Sequence, residues 1–417
     1  MAPDASFSGE TIEAAKAYLS ITSSGKLKPG KLGNPDLFMK DDERGDPRMR
    51  AALDGFGMGG SPARTGLEMS SSSLDPKDKG PTEEKLFNYA DKVETGVEQL
   101  LSAMVAGAPK RDVINYTKVV RGVDGNDIQL YISEPKEHGP VPCIIHLHGG
   151  EFSMLSATNG FYSYLRESYA AQGLVAISVE FRNTAGKHGR HPFPAALNDC
   201  FAALEWVNGH KPQLGVSVVI LNGESSGGNL CIATALKAVK EGKHELVDGV
   251  YAAAPEVYGK WSLDVPDSTK KFPSLMENDG YLNRVINGVP LSWLYSQDYT
   301  NPLAWPFAAT KADLVGLPPV LIQVNELDPI RDEGVAFAEK CELASVPTEL
   351  RLVKGQGHVT DLMFPKEQPD VYDATVAAVK DFAIRCYEYN RPAKPKRNRD
   401  CASKRACKYV FGESICA

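Results

Sequence analysis

The feature that most constrains this chain is a series of short, nearly continuous apolar runs at 141–147, 174–179, 216–221, 250–254 and 319–324. Runs this short suit strands buried on both faces, as in a parallel sheet, better than buried helices. The stretches between them, 159–172, 195–209, 226–241 and 332–344, have the length and spacing of helices. A strand at 348–353 and a helix at 370–389 continue the series. This alternation predicts an α/β fold: a mostly parallel central sheet with helices on both faces. Two earlier strands, 113–120 and 128–132, flank the turn Asp124-Gly125-Asn126. The stretch 256–317 interrupts the pattern, is rich in Trp, Tyr and Pro, and is expected to be a cap inserted over the sheet.

The domain organisation follows. Residues 1–80 read as irregular, with a short helix at 11–19, and contribute to the cap. A cap helix occupies 81–110; it starts at Pro81-Thr82-Glu83-Glu84, with Thr82 as N-cap. Leu86, Tyr89, Val93, Val97, Leu100, Leu101 and Met104 recur on it at helical spacing. Residues 111–390 read as the α/β domain, and 391–417 as a basic, Pro-broken, mobile tail. Gly55-Phe56-Gly57-Met58-Gly59-Gly60 lacks the order of a phosphate-binding loop and follows no strand, so it reads as a flexible loop.

Composition narrows the function. The 417 residues are 42% hydrophobic, enough for a sizeable core, and a net charge of -7 argues against a nucleic-acid binder. No apolar run is long enough to span a bilayer, and the first ten residues carry no apolar leader, so a cytoplasmic protein is expected. Without a leader, the sequon Asn115-Tyr116-Thr117 carries little weight. None of the eight cysteines forms a C-x-x-C pair; Cys143, Cys200 and Cys231 lie in apolar stretches and read as buried thiols. No metal and no cofactor is expected. A homodimer is left open.

Gly223-Glu224-Ser225-Ser226-Gly227 satisfies G-x-S-x-G, between the strand at 216–221 and the helix from 226. A nucleophilic serine on a tight strand-to-helix turn needs small neighbours on both sides for close packing. His148-Gly149-Gly150-Glu151-Phe152 follows the strand at 141–147. Backbone N–H groups of Gly149, Gly150 and Glu151, with that of Ser226, form a candidate oxyanion hole. The base must lie late in the chain, and His358, in Gly355-Gln356-Gly357-His358 after the strand at 348–353, fits. Asp328, after the strand at 319–324, is the candidate acid; Glu326 sits too near the strand end, and Asp332 better suits an N-cap.

From about 115 to 382 the chain resembles the hormone-sensitive-lipase-like group of α/β-hydrolases. The resemblance rests on His148-Gly149-Gly150, His191-Pro192-Phe193-Pro194-Ala195-Ala196, Gly223-Glu224-Ser225-Ser226-Gly227-Gly228-Asn229, Asp328-Pro329-Ile330-Arg331-Asp332-Glu333 and Gly357-His358, in that order. It implies an α/β-hydrolase fold with a helical cap, and hydrolysis of short acyl or small aryl esters without metal or cofactor. Two departures stand out: Glu151 replaces the usual third glycine, and 181–191 follows an unusual wording. The Glu151 side chain is expected to turn from the oxyanion and to be held by hydrogen bonds that fix the loop. Trp261, Trp293, Tyr295 and Trp305 either line an apolar pocket or pack the cap's own core. Three alternatives stand beside the esterase: a ligand-binding receptor of the same fold, an amidase or acyltransferase using the same triad, and a scaffold with a relict triad. A plant receptor branch of the group lacks the histidine, so His358 argues against the receptor.

Overall fold

The computed structural model describes residues 12–13, 16, 30–34, 36–60, 83–260, 270–278 and 289–390. Thr82, Trp261, the tail 391–417 and most of the helix expected at 11–19 lie outside the described residues.

Strands β1 (Ile114–Arg121), β2 (Asp127–Glu134), β3 (Val141–Leu147), β4 (Val175–Glu180), β5 (Val216–Glu224), β6 (Gly249–Ala253), β7 (Val320–Asn325) and β8 (Thr348–Val353) form one sheet. Their spatial order is β1-β2-β4-β3-β5-β6-β7-β8. β2 runs antiparallel to β1 and β4, and every pairing from β4 to β8 is parallel. The apolar runs sit in the parallel part because both faces there are covered.

Alternation along the strands divides the core in two. Cys143, Ile145 and Leu147 of β3 point into one layer with helices α4 (Ala195–Gly209), α5 (Ser226–Lys240) and α7 (Arg331–Leu343). Ile144 of β3 and Ala176 of β4 point into the other. That layer holds α1 (Pro47–Gly55), α2 (Glu83–Val105), α3 (Gly160–Ala171) and α8 (Pro369–Tyr389). Helix α6 (Val289–Tyr295) lies in the inserted stretch. Each Ile, Val or Leu buried this way contributes roughly 1.5–3 kcal/mol.

The stretch expected to be irregular up to residue 80 contains α1. Asp46 caps it by accepting from the Arg48 N–H at 2.8 Å, and Pro47 opens its first turn. The surrounding segment reaches across the sheet edge. The Asp46 N–H donates to the Gly355 carbonyl at 2.9 Å, and Met39 packs against Gly357. Arg44 pairs with Asp42 at 2.7 Å and with Glu277 at 2.8 Å, and Glu277 also meets Arg331 at 3.4 Å. Asn278 donates to Asp42. Among the described residues, no helix is long and apolar enough to cross a membrane.

Candidate active site

Ser225 stands between β5 and α5 with φ 59° and ψ −126°, a conformation that an L residue adopts only under constraint. The constraint is local packing. A Cβ on Gly227 would lie 2.0 Å from the Leu147 carbonyl oxygen, and one on Gly223 2.4 Å from the same atom. Both glycines therefore let α5 and β5 close onto β3. The Ser225 N–H donates to the Ala253 carbonyl at 2.9 Å, and its own carbonyl accepts from Glu256 and Asn229 at 3.2 Å. The hydroxyl thus sits at the N-terminus of a fifteen-residue helix, which favours developing negative charge. Ser225 is 8% exposed.

The loop after β3 is braced by Glu224, the residue before the serine. Its carboxylate accepts from the Gly149 N–H at 2.7 Å and meets His146 Nε2 at 2.9 Å. The Gly149 N–H is therefore already engaged, which removes it from the predicted set of donors. The N–H groups of Gly150, Glu151 and Ser226 have no acceptor among the described residues. Gly150 has φ 108°, and a Cβ there would lie 2.3 Å from the Met154 carbonyl oxygen. His148 stacks on Phe181 at 4.2 Å, and burial pushes its pKa down to about 4, so the ring is neutral and structural.

Glu151 departs from expectation. It has φ 55°, is 9% exposed, and makes no hydrogen bond among the described residues; its Oε2 is fully enclosed. Burial alone raises its pKa to about 8. Among the described residues, the hydrogen bonds expected to fix its side chain are not formed. The loop is held instead by Glu224 and by Glu94 of α2. Glu94 accepts from the Leu155 N–H at 3.1 Å and the Lys187 N–H at 2.7 Å.

Asp328 and His358 leave the ends of β7 and β8, on the same sheet edge as the end of β5. Asp328 Oδ2 lies 2.8 Å from His358 Nδ1, and its Oδ1 accepts from the Ile330 N–H at 2.9 Å. Donation from Nδ1–H fixes the tautomer and leaves Nε2 as the basic nitrogen. The rival carboxylates have other partners. Glu326 accepts from the Gly355 N–H at 2.8 Å; Asp332 accepts from the Ser274 N–H at 2.7 Å and Arg331 Nε at 2.8 Å. Ile330, not Asp332, is the N-cap of α7, which corrects that expectation.

Several residues to which the sequence reading gave no role hold the loops. Asn325 Nδ2 donates to the Gly357 carbonyl at 2.7 Å and to Asp361 at 2.8 Å. Glu333, whose pKa burial raises to about 8, accepts from the N–H groups of Val257 at 2.6 Å and Tyr258 at 3.1 Å. A signal existed for Glu94, which continues the buried Leu86, Ala90 stripe at four-residue spacing. Tyr295 and Trp305 are fully buried, with Tyr295 stacked on Phe152 at 3.7 Å, so both pack the core; Trp293 is half-buried. No group of three or more His, Cys, Asp or Glu among the described residues could hold a metal ion.

A mostly parallel sheet with a strained serine between β5 and α5, and an Asp–His pair beyond β7 and β8, defines an α/β hydrolase. Residues 144–362 match the family model described as alpha/beta hydrolase fold. The structure is similar to brefeldin A esterase, a bacterial homologue of human hormone-sensitive lipase, with 34% identity and a TM-score of 0.79 over 87% of this chain and 100% of that one. The sequence is 30% identical to carboxylesterase NlhH of Mycobacterium tuberculosis, over 55% of this chain and 70% of the relative. It is 29% identical to gibberellin receptor GID1A of Arabidopsis thaliana, over 53% of this chain and 63% of the relative. The chain belongs to the hormone-sensitive-lipase-like carboxylesterases of the α/β-hydrolase superfamily.

Proposed function

We propose that the protein hydrolyses small or short-acyl carboxylic esters through an acyl-enzyme on Ser225. The observation that carries this reading is the 2.8 Å hydrogen bond that His358 Nδ1 donates to Asp328, which leaves a basic Nε2 at the sheet edge where Ser225 stands. His358 Nε2 takes the hydroxyl proton as Ser225 Oγ attacks the ester carbonyl carbon. The tetrahedral oxyanion is held by the N–H groups of Gly150, Glu151 and Ser226. As the intermediate collapses, the C–O bond to the alcohol breaks and His358 returns the proton to the leaving oxygen. Water then repeats the cycle on the acyl-enzyme, releasing the acid and Ser225.

A preference for small substrates is supported by the cover over these loops. Met39 packs on Gly357 next to the base, and α2 is pinned to the oxyanion loop through Glu94. We therefore assign a capping role to residues 30–60, α2 and the insertion around α6.

Ser225→Ala and His358→Ala are each expected to lower kcat on p-nitrophenyl esters by on the order of 10⁴-fold. Near-normal turnover in either folded variant would defeat the assignment. Across esters of rising acyl length, turnover should fall, without interfacial activation on emulsified triglyceride. The likeness to a gibberellin receptor supports a ligand-binding reading, but a base paired with its acid favours hydrolysis. A receptor would keep its ligand response in Ser225→Ala, whereas an esterase would lose its activity.

A further inference from the structure

Glu151 is buried, with Oε2 fully enclosed, yet no side chain or backbone group of the described residues hydrogen-bonds to its carboxyl. Among the described residues no cation offsets the burial. A buried carboxyl without a partner is costly, and a non-glycine residue at φ 55° adds backbone strain. Tyr89 of α2 is close enough to feel its charge: burial and then the Glu151 carboxyl raise the phenol's pKa. The Tyr89 hydroxyl likewise makes no hydrogen bond among the described residues. Two polar groups, one from the oxyanion loop and one from the helix α2 that Glu94 ties to it, thus lie within electrostatic reach of each other without a hydrogen bond between them.

We propose that Glu151 and Tyr89 form a recognition subsite beside the oxyanion hole that binds an uncharged hydrogen-bonding group of the substrate, in the simplest case a hydroxyl, so that hydroxylated esters are selected. The inference rests on the active-site assignment above, because the Glu151 backbone N–H borders the hole and its side chain is within one side-chain length of it. A neutral carboxylic acid offers both an O–H donor and a carbonyl acceptor, which complements a hydroxyl that also does both. An ammonium group suits the site less well. It would have to shed its own water and draw the proton from an acid that burial keeps neutral to about pH 8.

The test compares kcat/KM within matched pairs. On the acyl side the pair is p-nitrophenyl butyrate and p-nitrophenyl 3-hydroxybutyrate; on the alcohol side, ethyl acetate and 2-hydroxyethyl acetate. The acetate of a quaternary ammonium alcohol serves as the cationic probe. The wild type should prefer the hydroxylated member of one pair by about tenfold, the value of one well-made hydrogen bond. Glu151→Gln, which still donates and accepts, should keep most of that ratio; Glu151→Leu and Tyr89→Phe should bring it toward one. In the wild type the preference should fade above about pH 8, and in Glu151→Gln it should not. Ratios read within one variant cancel any general loss of activity, and Tyr89→Phe decides the matter if Glu151→Leu fails to fold. Equal rates in both pairs, a ratio unchanged by Glu151→Leu or by Tyr89→Phe, or a preference for the ammonium ester would overturn the proposal. Ser225→Ala run alongside separates the two readings: residual turnover there defeats the nucleophile, whereas an inert Ser225→Ala with flat ratios defeats the subsite alone.

Discussion

In the folded protein the Glu151 carboxyl holds its proton to about pH 8, against an ordinary value of 4.5. The sign follows by linkage. Between those values the unfolded chain has released the proton and the native state has not, so stability falls as pH rises. The contribution is fully present below about 4.5 and is lost as pH climbs through 8. This is the reverse of a salt-bridged carboxylate. Glu151→Gln removes the titration, so its melting temperature should rise relative to the wild type as pH goes from 5 to 8, by at most about 1.4 kcal/mol of stability per pH unit. A pH-independent difference in Tm would show that the side chain is ionised and solvated in the native state. At this scale the sequence was partly legible. Ser225, His358 and Asp328 could be picked out as candidates because each follows a strand in the order the motif requires. The engagement of the Gly149 N–H could not, because its acceptor, Glu224, is 75 residues away and reaches it only once β3 and β5 pair.

Strands and helices were more legible than their polar ends. β3 and β8 match the predicted strands at both ends, whereas β5 continues through Asn222, Gly223 and Glu224, which carry no apolar signal. Those residues pair with β3 and β6, so backbone partners extend the strand where side chains do not. The short helix α1 was hidden because its apolar face is only Met49, Ala52 and Leu53. Glycines in two helices give opposite predictions. Gly96 lies inside α2 with nothing within 4 Å of an added Cβ, so Gly96→Ala should stabilise by about 0.5–1 kcal/mol. Gly227, at the start of α5, has the Leu147 carbonyl oxygen in the way; Gly227→Ala should destabilise by about 3 kcal/mol or more and abolish hydrolysis. Thermal melts of the two variants check both, and a Gly227→Ala protein that melts like the wild type would show that β3 and α5 are not tightly apposed.

At the scale of the molecule, residues far apart in sequence share one buried charge network. Arg44 and Glu277 are 233 positions apart, and Glu277 joins them to Arg331, three residues after Asp328. Glu277→Ala should cost about 3 kcal/mol, the lower end for breaking a buried pair, because Arg44 keeps Asp42 and Arg331 keeps Asp332. A Tm unchanged from the wild type would place these charges in water. No pattern in the sequence announces this network, since each member reads alone as an ordinary surface charge.

The hold of residues 39–46 on the loop that carries His358 has a consequence for biosynthesis. Met39 and Asp46 leave the ribosome early, but Gly355 and Gly357, which they grip, come some three hundred residues later. Until then the early segment can reach Glu277 and Asn278 but lacks the loop that Met39 and Asp46 hold, and closing so long a loop is entropically slow. A nascent chain halted before Gly355 should therefore expose this segment to protease even with Ser225 already translated, and protection should arrive with the His358 loop. The enzyme would be inert until the earlier-made segment and the later-made His358 loop meet.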